Sequence, residues 1–145
     1  MIMIKDYPFT PVSDDIARPI LWIRVINDNA NRSVIMPALI DTGADECGFP
    51  ASIASGLGYK LKSVHPKTIV TASGETIAYP HPAKVEVLAM NSAGQPTYDV
   101  VHTIDETPIN FIEGLEGFLL GTRNFLSDFI LTINYPRQIF SIRKP

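Results

Sequence analysis

Twelve prolines and nine glycines are spread along the whole chain, so a long uninterrupted helix has nowhere to form. This argues against a helical bundle, and the expected class is mainly β, built from short segments. The 145 residues suffice for one core rather than two, since a chain of this size buries about two-thirds of its unfolded surface. Hydrophobic residues make up 46% and charged residues only 19%, which argues against intrinsic disorder. No apolar run approaches the roughly 18 residues of a membrane span, so a membrane is not an expected partner. The net charge is −3, with no basic cluster to neutralise phosphates, and nucleic acid is equally unexpected. Cys47 is the only cysteine, which leaves no disulfide within the chain and no cysteine-based zinc site. Met1 to Thr10 carries Lys5 and Asp6 before any long apolar run, unlike a secretory signal, so a cytoplasmic setting is expected. In that setting the sequon Asn31-Arg32-Ser33 reads as coincidence.

After a lead-in punctuated by Pro8, Pro11 and Pro19, Ile20 to Ile26 reads as a strand rich in β-formers. The turn cluster Asn27 to Asn31 ends it, and Val34 to Ile40 supplies a second strand, a hairpin that delivers the chain to Asp41. Pro50 to Ser55, opened by a proline and closed by Gly56 and Gly58, predicts one short helix. Thr68 to Val70 and Thr76 to Tyr79 flank a hairpin turn over 71–75, where Gly74 can take positive φ. Lys84 to Ala89 and Thr97 to His102 predict another hairpin, while 104–116 reads as a loop, the weakest periodicity in the chain. Leu131, Ile133 and Tyr135 alternate with polar residues before Pro136-Arg137 turns the chain into Gln138 to Ile142. About seven strands and two short helices, without a repeat or a linker, suit a small closed barrel formed by one domain, residues 1–145.

Ala38-Leu39-Ile40-Asp41-Thr42-Gly43-Ala44-Asp45 carries the chemistry. An apolar pair brings a carboxylate out of a buried strand, and a hydroxyl residue and a glycine follow where the backbone must turn. An apolar pair followed by Asp, Ser or Thr, and Gly occurs by chance in roughly one chain of this length in two hundred. A second signature follows, Phe118-Leu119-Leu120-Gly121, then Arg123-Asn124-Phe125-Leu126 and the terminal strands. The plain alternative for Asp41 is a capping aspartate, and for 72–75 an ordinary surface turn. The pair Leu119-Leu120 belongs to the core and Gly121 to a tight crossing.

The order Asp-Thr-Gly, glycine-tipped hairpin, apolar-apolar-Gly, short helix and terminal strands resembles the retropepsin-like aspartic proteases, the single-lobed relatives of pepsin found in retroviruses, retroelements and bacteria. The resemblance runs from about Ile20 to Ile142 and looks most like bacterial members. It implies a mainly β closed barrel with a flap hairpin. It further implies that Asp41 is the catalytic aspartate, that Thr42 bonds across to a partner's equivalent loop, and that Gly43 admits the substrate backbone. Ala44 and Asp45 would contact substrate, Asp45 often being paired in the family with an arginine after the second signature. Ser73 and Gly74 would tip the flap. Two departures stand out: Glu46-Cys47-Gly48 where the family has apolar residues, and one extra residue after Gly121, so that either Thr122 or Arg123 takes the arginine-like place.

Peptide hydrolysis of this kind needs one carboxylate to take a proton from water and one carboxylic acid to donate to the carbonyl oxygen. Two carboxyls about 3 Å apart share one proton because both cannot ionise, the established pattern of aspartic-protease dyads. Among the aspartates only Asp41 is followed by Thr-Gly or Ser-Gly. The second carboxylate must therefore come from a second copy, which predicts a homodimer acting on a peptide or protein substrate. A hydroxyl at position 44 would favour the charged carboxylate; alanine cannot, so an optimum between mildly acidic and neutral is expected. No metal or other cofactor is called for: His65, His81 and His102 lack ligand spacing and read as surface or loop residues, and no phosphate-binding glycine loop is present. Cys47 could be a nucleophile only beside a histidine base, and a half-buried strand cysteine is the preferred reading. A non-catalytic peptide-binding or scaffold dimer on the same barrel is the competing function, because fold does not dictate activity.

Overall fold

A computed structural model describes residues 2–145, and strands dominate it, at 57% of residues against 10% helical. In chain order they are β1 (Ile2–Pro8), β2 (Thr10–Pro11), β3 (Ala17–Arg18), β4 (Ile20–Asn27), β5 (Arg32–Ile40) and β6 (Gly48–Pro50). Then come β7 (Lys67–Thr71), β8 (Gly74–Met90), β9 (Pro96–Ile112), β10 (Phe118–Leu120), β11 (Ile130–Asn134) and β12 (Ile139–Arg143).

The β4 sequence alternates strictly between half-buried and buried positions, with Leu21, Ile23 and Val25 inside. This is the period-2 pattern of a strand with one face on a core. The strand pairs antiparallel with β5, from Ile20 opposite Leu39 to Asn27 opposite Arg32, through a tight turn in which Asn31 takes left-handed φ. Hydrogen-bonded neighbours run β4-β5-β10-β6-β9-β8, and β8 pairs back onto β4 from Trp22–Leu88 to Ile26–Lys84. The row thus closes on itself as a six-stranded barrel, which leaves those strands no free edge along the closure. Register shifts between Ala83 and Val85 and again near Leu88 bend the long β8–β9 hairpin around it. Phe49, Phe111 and Phe118 meet inside, the first and last with ring centres 4.9 Å apart.

The proline-rich lead-in is more ordered than its sequence indicates. β1 joins β12 and β11 in a three-stranded sheet, and Ile4, Phe9, Phe140 and Ile142 bury themselves against the barrel core. β2 and β3 form a two-residue ladder, Thr10 opposite Arg18. The helix expected over Pro50 to Ser55 is a pair of 3-10 turns, Ala51–Ile53 and Ser55–Leu57, stopped by Gly58 at φ +85°. The short helix after Gly121 is likewise one 3-10 turn, Leu126–Asp128. The segment expected as a loop from residue 104 continues β9 as far as Ile112, and the turn follows at Gly114. Among the described residues no helix is long and apolar enough to cross a membrane.

Candidate active site

Strands β5 and β10 run parallel side by side, Ala38 to Ile40 opposite Phe118 to Leu120, and end at the same level. β6 lies on the other side of β10, with Gly48 opposite Leu119. The loop 41–47 therefore has to pass over the end of β10 to reach its place. Gly121 sits under that crossing. A Cβ at this position would lie 2.4 Å from the Glu46 carbonyl carbon and 2.5 Å from its oxygen, inside any real contact between such atoms.

Backbone hydrogen bonds lock the crossing. The Asp41 N–H donates to the Leu120 carbonyl at 3.0 Å, the Thr122 N–H to Ala44 at 2.9 Å and the Arg123 N–H to Asp45 at 2.8 Å. Asn124 clasps it from the side: its Oδ1 accepts the Cys47 N–H at 2.9 Å and its Nδ2 donates to the Pro108 carbonyl at 3.1 Å. Asp41 emerges half-buried, and its Oδ1 accepts the Gly43 N–H at 3.0 Å, a local turn closed by the Ala44 N–H on the Asp41 carbonyl. One carboxylate oxygen is thus oriented by the loop's own backbone.

Above this loop leans the hairpin of β7 and the start of β8, registered from Lys67–Ala78 to Thr71–Gly74. Gly74 takes φ +116°, a value that favours glycine, and the Thr71 hydroxyl donates to the Gly74 carbonyl at 2.8 Å. Between loop and hairpin lies a cleft of about 640 Å³. Asp41, Gly43, Ala44 and Asp45 line its floor, and Ile69, Val70, Thr71 and Ala72 its roof. Thr42 is exposed at the loop apex, and Ser73 and Gly74 are exposed at the hairpin turn, outside the lining.

Glu46 and Asn110 are among the lining residues that no sequence motif assigned to the site. Asn110 lies in the aperiodic stretch of β9, and Glu46 belongs to the Glu46-Cys47-Gly48 departure from the family pattern. Lys67 of the hairpin reaches Glu46 at 2.8 Å. That hydrogen bond foremost holds the Glu46 carboxyl below its ordinary range; burial opposes it, and the Lys67 charge, the Asn110 side chain and Arg123 assist. Asp45 and Arg123 meet through their main chains, and the Thr122 hydroxyl also donates to the Asp45 carbonyl at 3.2 Å. Both candidates for the arginine-like place therefore reach the Asp45 carbonyl, Arg123 with its backbone N–H and Thr122 with its hydroxyl. The Cys47 thiol is buried, accepts the Gly121 N–H at 3.4 Å and is pushed up to about 11 by burial, the opposite of what a nucleophile needs. His81, expected at the surface, is instead 5% exposed, its Nε2 donating to the Leu61 carbonyl at 2.8 Å beneath Tyr59. Alternation along β8 turns it inward.

No family model matches the sequence. No curated protein matches it either. Among solved structures, a retropepsin-like aspartic protease from Rickettsia conorii superposes with a TM-score of 0.56 at 22% identity, covering 88% of this chain and 87% of that one. The EIAV protease complexed with the inhibitor HBY-793 gives a TM-score of 0.45 at 14% identity, over 77% of this chain and 88% of that one. With its closed barrel, its loop crossing over a glycine and its covering hairpin, the chain has the fold of the retropepsin-like aspartic proteases.

Proposed function

We propose that this protein is an aspartic endopeptidase, residues 1–145 forming one protease domain that works as a homodimer. The observation that carries the reading is the position of Asp41: it stands on the floor of a cleft roofed by a hairpin, on a loop held between two parallel strand ends. A rigid loop matters because proton transfer requires the carboxyl within hydrogen-bond reach of a water and a peptide carbonyl. In this reading the Asp41 carboxylates of two copies meet at the two-fold axis and share one proton. The ionised one takes a proton from the attacking water, and the protonated one donates to the carbonyl oxygen. Thr42, exposed at the apex, would bond across to the partner's loop, and Gly43 would let the substrate backbone approach. Ala44 and Asp45 would line the substrate's path, and Ser73 and Gly74 would tip a flap closing over it.

The barrel by itself is compatible with peptide binding without hydrolysis. Digestion of a mixed peptide library across pH, with Asp41→Ala as control, separates the two. Cleavage by the wild type and none by the variant is the expected result. Peptide binding retained by both proteins with cleavage by neither would overturn the enzyme reading.

A further inference from the structure

The barrel has two ion pairs among its described residues, and they differ in what they join. Arg24 and Glu86 pair across adjacent strands β4 and β8, already held by their ladder. Glu46 and Lys67, at 2.8 Å, join two segments with no ladder between them, the active-site loop and β7. β7 is the end strand of its row and bonds only to β8, so its outer edge has no backbone partner among the described residues. Its roof residues cover the cleft while Val70 remains 81% exposed, and the Thr71–Ser73–Gly74 contacts close the turn only upon itself. Nothing else in the described hairpin's first strand fastens it to the floor by a side-chain hydrogen bond.

We propose that Glu46 and Lys67 form a tether that sets how far the hairpin lies over the cleft, making them positioning residues for whatever peptide binds beneath it. The pair sits at the hairpin's base, and β7 carries any displacement about 13 Å onward to the turn, at 3.3 Å per residue. Glu46 is fixed from below by its place on the locked loop, with Asn110 of β9 and Arg123 after β10 also facing it. Its folded pKa lies below the ordinary carboxylate value. The tether is therefore intact above that ordinary value and is lost as pH falls through the lowered one.

The effect on substrate rests on the peptidase reading, but the tether does not, so the experiment has two arms. Hydrogen exchange of the β7 amides that bond to β8, every second one along the strand, should quicken in Glu46→Gln and in Lys67→Met by about two- to fivefold, the scale of one partly exposed ion pair. The double variant should go no further, Lys67→Arg should behave as wild type, and amides of β4 and β5 should be unchanged in all. Wild-type exchange at these amides should approach that of Glu46→Gln at acid pH. In the second arm, KM for a cleaved peptide should rise by a similar factor with kcat within about twofold. Unchanged exchange at those β8-bonded amides of β7 in both single variants would overturn the tether. Failure to cleave any peptide, with exchange altered as expected, would count against the peptidase reading alone and leave the tether standing.

Discussion

Gly121 and Gly48 make a controlled comparison at the scale of single residues. A methyl on Gly121 would meet backbone of Glu46 and Ala44, which the locked loop cannot move. On Gly48 it would meet the Cδ1 of Ile112 at 2.7 Å, the free end of a flexible side chain. Gly121→Ala should cost about 3 kcal/mol or more in urea unfolding, and Gly48→Ala about 1 kcal/mol. Equal losses would mean that the crossing has slack. Cys47 makes a second test. Its thiol, pushed up to about 11 by burial, should stay unreactive toward a disulfide reagent at pH 8 in the native protein and react within the mixing time in denaturant. At Ala44, which lines the cleft beside Asp41, a serine hydroxyl could donate to the carboxylate. Ala44→Ser should therefore move the optimum of peptide cleavage to more acidic pH, and an unmoved profile would separate position 44 from the dyad.

Among the elements, those made of neighbours in sequence were legible and those made of distant partners were not. The β4–β5 hairpin, the turn around Gly74 and the β11–β12 hairpin announce themselves by alternation and turn residues. The later part of β9 does not, because Ile109, Asn110, Phe111 and Ile112 are buried in succession, which puts both faces of the strand out of water there. A strand covered on both faces loses its alternation. β1 fails for another reason: its partner is β12, at the opposite end of the chain, and a kink at Asp6, φ +51°, interrupts its register. Asn124 ties three elements at once, the end of the active-site loop, β9 and the turn after β10. Asn124→Ala would leave the Cys47 N–H without its acceptor. The expected loss is about 1–3 kcal/mol by urea unfolding, with peptide cleavage falling more than stability alone explains.

For the whole molecule the decisive quantity is the number of chains in an active unit. In the proposed dyad one Asp-Thr-Gly would supply half of a carboxyl pair, so activity should depend on association. Equal amounts of wild-type and Asp41→Asn protein, allowed to exchange, should retain roughly one quarter of the activity, the share of dimers holding two aspartates under random pairing. Retention near one half would show that each chain acts alone. The mainly β class, the hairpins and the Asp41 loop followed by the Leu119-Leu120-Gly121 signature were determined by the sequence itself. Each is encoded within a few neighbouring residues, where spacing, turn chemistry and the need for a glycine act locally. Tertiary structure alone decided that Glu46 faces Lys67, that Asn110 lines the cleft, that His81 is buried and that the lead-in becomes a strand of the terminal sheet. Those outcomes depend on groups brought together across long stretches of chain by barrel closure, and no local pattern records which of them will meet.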